Sequence, residues 1–229
     1  NLKYYTRDMK AHSLFGGITW KWSDGGASDF PKLQIKIKDE IVAFEAADEI
    51  IVSESGVENG GKKLNPTALH RLIEERGDEV LFYDGRNGYE SEIGRFKNAI
   101  LPNIETSRDF KTDLETGEIS KHKDRPIVTY CTGGIRCEIL TAMMKKRGYG
   151  EVYQLDGGIV KYGEQFGDDG FWEGKLYVFD DRMQMGFSEK SKDIAKCYNC
   201  GAATSRQVDS LGIRRRLYVC CENCPTPTN

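Results

Sequence analysis

Two patterns of hydrophobic and polar positions alternate through the middle of this 229-residue chain. Short apolar runs, typical of buried strands, lie at residues 80–83, 127–130 and 152–155. Between them, apolar residues recur at helical spacing. One helix is predicted from the N-cap Asn65 and Pro66 to Gly77, and another over residues 138–146. Strands that alternate with helices predict an α/β domain with a mainly parallel sheet flanked by helices.

The two ends of the chain follow other patterns. Leu33, Ile35 and Ile37 alternate with polar residues and predict a strand with one buried face, which residues 41–44 extend or pair with. A further strand is predicted at 176–179, beyond which the chain is polar and rich in cysteine. These changes divide the chain into three parts, namely residues 1–62, 63–172 and 173–229.

Net charge, apolar content and cysteine number exclude some classes of protein. With 33 basic and 36 acidic residues the net charge is −3, which excludes a uniformly basic nucleic-acid binder but not a local basic patch. No apolar run approaches the roughly 20 residues needed to cross a bilayer. The seven cysteines are odd in number and follow no secretory signal, so we expect a cytoplasmic protein that uses thiols for chemistry and metal binding. The chain starts without Met, and we expect it to be a fragment of a longer protein.

The strand at 127–130 runs directly into a loop of six residues, which are Cys131, Thr132, Gly133, Gly134, Ile135 and Arg136. Its two glycines let backbone N–H groups turn toward one point, and the following helix adds the positive end of its dipole. We therefore expect Cys131 to be a nucleophile with a lowered pKa and Arg136 to be a fixed cation. The alternative is a cysteine that only fills space at the end of a strand.

The spacing of this loop separates two classes of thiol enzyme. Cysteine phosphatases place five residues between the Cys and the Arg, whereas four lie here, which suits a persulfide better than a phosphate. The loop resembles the active loop of the rhodanese family. Asp84, Arg86 and Glu90 resemble the opening pattern of that family, although Arg95 stands where many members carry His.

A closer resemblance is to the tRNA uridine-34 hydroxylases. It rests on VTYCTGGIRCEI, VYQLDGGIVKYGE and FWEGKLYVFDDRM, and on KIKDEIVAF ahead of the rhodanese-like part. The resemblance implies oxygen-dependent 5-hydroxylation of the wobble uridine, with tRNA as partner and molecular oxygen as co-substrate. It also implies that residues 1–62 are the second half of a ferredoxin-like or acylphosphatase-like domain. The sequence contains no flavin or nucleotide-cofactor motif and does not indicate an oligomeric state.

Four residues near the loop have a functional and a structural interpretation. Cys137 either resolves an oxidised Cys131 through a disulfide or packs in the first helical turn. The loop with Asp84 and Arg86 should border the Cys131 loop and support it. In the structural alternative, Asp84 caps backbone N–H groups and Arg86 forms an ion pair with Glu90, and for Glu90 we favour this alternative.

The C-terminal cysteines form two CxxC pairs with 20 residues between them. This spacing predicts a zinc site, because each pair supplies half of a Cys₄ ligand set. The predicted ligands are Cys197, Cys200, Cys221 and Cys224. Cys220 is a rival for Cys221, and a tail of metal-free thiols is the alternative.

Positive charge concentrates around and after the first cysteine pair. Residues 190–219 hold seven basic and two acidic residues, a net charge of +5 in a chain of net −3. Such a stretch suits RNA backbone binding, and a solvated basic face is the alternative. The candidate RNA-binding residues are Arg206, Arg214, Arg215 and Arg216.

Three functions fit the Cys131 loop: a tRNA hydroxylase, a sulfurtransferase that carries a persulfide on Cys131, and a thiol redox sensor. The basic, cysteine-rich tail favours the hydroxylase, because a plain sulfur carrier does not need it.

Overall fold

The computed structural model describes residues 2–18, 20, 22, 36–40, 42–53, 56–210 and 216–228. It divides into two compact units, Asn1–Gln34 and Ile35–Asn229. The described part of the first unit contains one helix, on which Thr6 is buried. Leu33 and Ile35 of the predicted strand fall outside the described residues. Ile37 is fully exposed, and neither it nor residues 42–44 form a strand, so the described part of this prediction is wrong.

Helices and strands are numbered along the chain. They are α1 (Leu2–Ala11), β1 (Val52–Ser53), β2 (Gly56–Val57), β3 (Lys62–Leu64), α2 (Pro66–Arg76), β4 (Leu81–Asp84), α3 (Gly88–Ile93), β5 (Gly94–Phe96), α4 (Phe110–Thr116), β6 (Ile127–Tyr130), α5 (Ile135–Lys146), β7 (Val152–Leu155), α6 (Gly158–Phe166), β8 (Trp172–Gly174), β9 (Leu176–Tyr177), β10 (Gln184–Met185), β11 (Gln207–Asp209) and β12 (Leu217–Val219).

A parallel sheet of four strands, in the order β3-β7-β6-β4, forms the centre of the second unit. The strands predicted at 127–130 and 152–155 are confirmed, and the one predicted at 80–83 is shifted by one residue. The edge strand β3 was not predicted, because two of its three residues are lysines and it carries no apolar run. It lies across the predicted boundary between residues 62 and 63.

Each face of this sheet packs against its own hydrophobic cluster. Alternate residues of a strand point to opposite faces, so Phe82 joins one cluster and its neighbour Tyr83 joins the other. The Tyr83 cluster includes residues of α4 and α5 together with Phe44 from the N-terminal segment. The Phe82 cluster includes residues of α2 and α6. The sheet is therefore flanked by helices on both sides, as predicted.

Helix boundaries follow the sequence at some places and depart from it at others. Asn65 caps α2 by accepting a hydrogen bond from the Ala68 N–H, and Gly77 ends that helix, as predicted. Helix α5 begins at Ile135, three residues before the predicted start, because Gly134 is already its N-cap at φ +90°. Helix α6 was not predicted. The strand predicted at 176–179 shortens to β9, which pairs with β10.

The C-terminal segment packs against the rest of the second unit through a third hydrophobic cluster. Ile93 of α3 and Tyr177 of β9 contact Ala195 and Val219 there. The Gln207 side chain on β11 also donates a hydrogen bond of 2.6 Å to the backbone carbonyl of Tyr89 in α3. Among the described helices, none is long and apolar enough to span a bilayer.

Candidate active site and metal centre

Cys131 lies where β6 ends at the carboxyl edge of the sheet, and 2% of its surface is exposed. The backbone N–H of Gly134 donates a hydrogen bond of 3.2 Å to its Sγ. The backbone N–H groups of Arg136 and Cys137, in the first turn of α5, donate to the same sulfur. Because these donors belong to a helix N-terminus, the loop forms an anion-binding cradle around the thiol.

This cradle ionises Cys131. A hydrogen bond from the Cys137 thiol, the nearby charge of Arg136 and the backbone donors together overcome burial and lower the pKa of Cys131 to about 6. Cys131 is therefore mostly a thiolate at neutral pH. Burial raises the pKa of Cys137, and its hydrogen bond to the Cys131 sulfur raises it further. The pair consists of one thiolate acceptor and one neutral thiol donor.

Arg136 is held by a buried carboxylate. Its two terminal nitrogens each lie 2.6 Å from an oxygen of Glu90, which is fully buried on α3. One of these nitrogens also donates to the Thr132 hydroxyl over 3.4 Å. The predicted ion pair between Arg86 and Glu90 is wrong, because the Glu90 carboxylate faces the Cys131 loop and pairs with Arg136. Glu90 thus fixes the cation beside the thiol.

Arg86 pairs instead with Asp84, and both side chains are fully buried. Asp84 also accepts the backbone N–H of Arg86, as the structural alternative expected of it. Arg86 further donates to the carbonyl oxygens of Glu90 and Gly94, at 3.4 and 2.7 Å. Gly85 between them donates to the Tyr130 carbonyl, so this loop lies beside the Cys131 loop. The Asp84–Arg86 pair therefore positions the segment that carries Glu90.

The start of α6 holds the Cys131 loop from its other side. The N–H groups of Ile159 and Val160 donate to the carbonyls of Cys131 and Thr132, at 3.0 and 3.1 Å. A Cβ on Gly158, which has φ +65°, would lie 2.4 Å from the Cys131 carbonyl oxygen, so this position requires glycine. Gly158 was not predicted as a site residue. The sequence feature that could have indicated it is the Gly157-Gly158 pair directly after a strand.

The rim of the site is apolar. Ile135 is 55% exposed and Phe179 is 59% exposed. The Phe179 ring centroid lies 6.0 Å from the Arg136 Cζ. Exposed apolar groups beside a charged, hydrogen-bonding loop are suited to a flat ligand with polar edges.

The sulfurs of Cys197, Cys200, Cys221 and Cys224 all lie within 4.8 Å of one another, and those of Cys200 and Cys221 are 3.7 Å apart. Tetrahedral zinc with Zn–S bonds of about 2.3 Å places its sulfurs roughly 3.8 Å apart, so this cluster could hold such a metal. Cys220 is fully buried outside this group, with its sulfur 3.4 Å from the Pro225 carbonyl oxygen.

Two of the four predicted RNA-binding arginines, Arg206 and Arg216, lie among the described residues. Arg206 donates to the Cys220 carbonyl over 3.0 Å. Arg216 is exposed, with its Cζ 5.5 Å from the ring centroid of Tyr218. Arg214 and Arg215 lie outside the described residues.

Comparison with known proteins identifies the family. The rhodanese-like domain model matches residues 65–165, and the rhodanase C-terminal model matches residues 173–229. The tRNA uridine(34) hydroxylase of Corynebacterium urealyticum is 54% identical over 224 residues, which cover 97% of this chain and 75% of that protein. The chain belongs to the tRNA uridine(34) hydroxylase family. Another member, from Kocuria rhizophila, is 50% identical over 98% of this chain and 76% of its own length.

The match to the rhodanese-like domain model agrees with the observed parallel sheet. A rhodanese-related protein from Thermoplasma volcanium, whose structure is solved, is 19% identical and covers 45% of this chain and 92% of its own, with a TM-score of 0.36. The prediction of a rhodanese-like parallel sheet flanked by helices is confirmed.

Proposed function

We propose that this chain hydroxylates carbon 5 of the wobble uridine 34 of tRNA with molecular oxygen as co-substrate, and that Cys131 is the nucleophile. Membership of the hydroxylase family, at 54% identity to a named member, carries the proposal. The thiolate in its cradle of N–H donors supplies the chemistry. Residues 63–172 then form the catalytic rhodanese domain, residues 173–229 a metal-binding extension, and residues 1–62 part of a ferredoxin-like domain.

A thiolate can activate the carbon that is hydroxylated. When the Cys131 sulfur bonds to carbon 6 of the uracil ring, the electrons of the C5–C6 double bond move to carbon 5, which can then react with oxygen. Release of the sulfur with loss of the carbon 5 proton restores the ring. The buried Arg136, held by Glu90, stabilises the thiolate before and after this cycle.

Cys137 can complete the electron balance. One oxygen atom enters the C–H bond, and reduction of the other to water takes two electrons and two protons. Once the Cys131 sulfur has left carbon 6, oxidation of the Cys131 thiolate and the Cys137 thiol to a disulfide supplies the two electrons. The proton lost from carbon 5 balances that of the new hydroxyl group, and the two protons for water come from Cys137 and from solvent, which received the Cys131 proton on ionisation. Cys137 is placed for this role because its thiol donates a hydrogen bond to Cys131. An external thiol then restores the pair by exchange.

The C-terminal cluster holds zinc in this proposal. Four thiolates within 4.8 Å of one another can surround the ion, which would stabilise the fold of a segment with few apolar residues. Cys197, Cys200, Cys221 and Cys224 would be its ligands. The basic residues between the two cysteine pairs, with Arg206 and Arg216 among them, contact the tRNA backbone, and the reduced thiols suit the cytoplasm.

A sulfurtransferase is the second candidate. The match of residues 65–165 to the rhodanese-like domain favours it, because a cradle of N–H donors can also stabilise a persulfide on Cys131. A thiol redox sensor would use the Cys131–Cys137 pair alone. Transfer of sulfur from thiosulfate to cyanide by the purified protein measures the first activity directly.

The deciding experiment compares tRNA nucleosides by mass spectrometry in cells that lack this protein and in cells that regain it. We expect 5-hydroxyuridine and its derivatives at position 34 to disappear and to return with the wild-type chain but not with Cys131→Ser. Unchanged modification in the deletion strain would contradict the proposal, and cyanide-dependent thiocyanate formation would then favour the sulfurtransferase.

A further inference from the structure

A pocket of about 300 Å³ lies on the C-terminal extension, where β12 contacts α3. Its lining combines two aromatic, two cationic and one acidic side chain, which are Tyr198, Tyr218, Lys196, Arg216 and Glu92. None of these belongs to the four-cysteine cluster or to the Cys131 loop. The chemistry of the pocket therefore requires its own explanation.

The aromatic residues form a surface for stacking. Tyr198 is 67% exposed, and its ring meets that of Tyr218 edge to face, with centroids 4.9 Å apart. Arg216 lies over the other ring of this pair, as described above. Because Tyr198 lies between the cysteines of one CxxC pair and its N–H donates to the Val219 carbonyl, its backbone is fixed. A fixed, exposed ring is suited to stacking with a flat base.

The charged residues complement the other parts of a nucleotide. Lys196 and Arg216 are exposed and can contact phosphate. Glu92 offers carboxylate oxygens to the N–H groups on the edge of a base. A stacking ring, two cations and one hydrogen-bond acceptor in a pocket of this size match a single nucleotide.

The position of the pocket relates it to Cys131. Glu92 lies two residues after Glu90 on α3, and residues two apart in a helix point to nearly opposite sides. Glu90 faces Arg136 and the thiol, whereas Glu92 faces the pocket. The width of helix α3, about 10 Å with side chains, thus lies between the two sites, a span that a few nucleotides of a single strand can cover.

We infer that this pocket binds an unpaired nucleotide of the anticodon loop near the wobble uridine, with its base stacked on Tyr198 and its phosphate between Lys196 and Arg216. The inference rests on the proposed function, since it assigns uridine 34 to Cys131. It adds a site for a nucleotide base to the contacts that the basic stretch is proposed to make with the RNA backbone.

The test measures binding and turnover separately, on the full chain. Binding of an anticodon stem–loop RNA is followed by fluorescence anisotropy, and hydroxylation of tRNA by mass spectrometry. Tyr198→Ala should weaken stem–loop binding and raise KM about 5- to 100-fold, with kcat and the alkylation rate of Cys131 unchanged. Tyr198→Trp, which keeps a stacking surface, should retain wild-type affinity. Lys121→Ala is the charge control, because Lys121 is exposed, pairs with Glu118 and lies outside the basic stretch.

The outcomes separate this inference from the proposed function. If Tyr198→Ala has the turnover, the stem–loop affinity and the KM of the wild type, the pocket does not bind a nucleotide, and the proposed hydroxylase function is unaffected. A lowered kcat at unchanged KM would also overturn the inference about the pocket. If Tyr198→Ala is unstable, the double variant Lys196→Gln, Arg216→Gln must show the loss of affinity instead. If the wild-type protein shows no hydroxylase activity but these variants still bind the stem–loop more weakly than the wild type, the pocket is supported and the proposed function is rejected.

Discussion

The two cysteine sites of this chain present sulfur in opposite ways. At Cys131 one thiolate is surrounded by N–H donors and a fixed arginine, so its charge is stabilised by the protein itself. At the C-terminus four sulfurs converge within 4.8 Å, where four negative charges would repel one another without a cation. One thiolate among N–H donors is suited to act as a nucleophile, whereas four sulfurs that converge are suited to bind a metal.

The two sites are also connected. The C-terminal segment packs on α3 through Val219 and through the hydrogen bond from Gln207 to Tyr89. The next residue on α3, Glu90, holds Arg136 beside Cys131. The C-terminal segment that carries the four cysteines therefore packs against the helix whose Glu90 holds Arg136 beside Cys131.

The sharpest test of the comparison is removal of the reactive sulfur. Cys131→Ser should lower hydroxylation at least about 10³-fold, because a serine hydroxyl is not ionised at neutral pH. Mass spectrometry of tRNA nucleosides measures this loss. Affinity for tRNA should stay at the wild-type level, since a single buried atom changes. Residual hydroxylation near the wild-type rate would contradict a nucleophilic role.

The next largest effect concerns the metal cluster. Cys221→Ser should abolish binding of about one zinc per chain and destabilise the C-terminal segment by several kcal/mol, because a structural metal contributes directly to folding. Metal analysis and thermal unfolding measure both. The matched control is the adjacent Cys220→Ser, which should keep the metal. The reverse result, with metal lost only from Cys220→Ser, would show that Cys220 is the ligand.

A smaller effect is expected from the basic stretch. Replacing Arg214, Arg215 and Arg216 with Ala should weaken tRNA binding and reduce the slope of log affinity against log salt by about 2, because three phosphate contacts are lost. The alkylation rate of Cys131 should not change. Normal affinity at every salt concentration would assign these arginines to a solvated surface.

The smallest effect tests the cradle itself. Alkylation of Cys131 by iodoacetamide should fall as the pH drops through about 6, because protonation removes the thiolate. Cys137→Ala deletes the hydrogen bond that contributes most to the lowered pKa, so the midpoint should move up toward the 8.5 or so of an ordinary thiol. Cys137→Ser keeps a donor and should shift the midpoint less. Equal midpoints in all three proteins would contradict this account.

Local patterns predicted much of the central fold. Strands β6 and β7 are four-residue apolar runs, and the Asn65 and Gly77 signals define both ends of α2. The six-residue loop indicated Cys131 and Arg136. Edge strand β3 was missed because its lysines face solvent and its pairing with β7 is a long-range contact.

Tertiary pairings were not predictable in the same way. The partner of Glu90 depends on where α3 lies relative to α5, which sequence spacing does not specify. The local alternative, Arg86, was therefore chosen and is wrong. The pocket at Tyr198 combines residues more than 100 positions apart, from Glu92 to Tyr218, so no local motif could indicate it.

The hydrogen bonds from α6 to the carbonyls of Cys131 and Thr132 hold the backbone of this loop against the start of the helix. Cys131 is 2% exposed, so a base that reacts with its sulfur must enter the loop. The RNA must therefore displace the base toward the sulfur, and a duplex would lose stacking and base pairing in doing so. Nucleotides that already lie outside a helix, as in an anticodon loop, meet this demand at the lowest cost. With Cys131 as the proposed nucleophile, the burial of its sulfur would thus favour single-stranded RNA over a duplex.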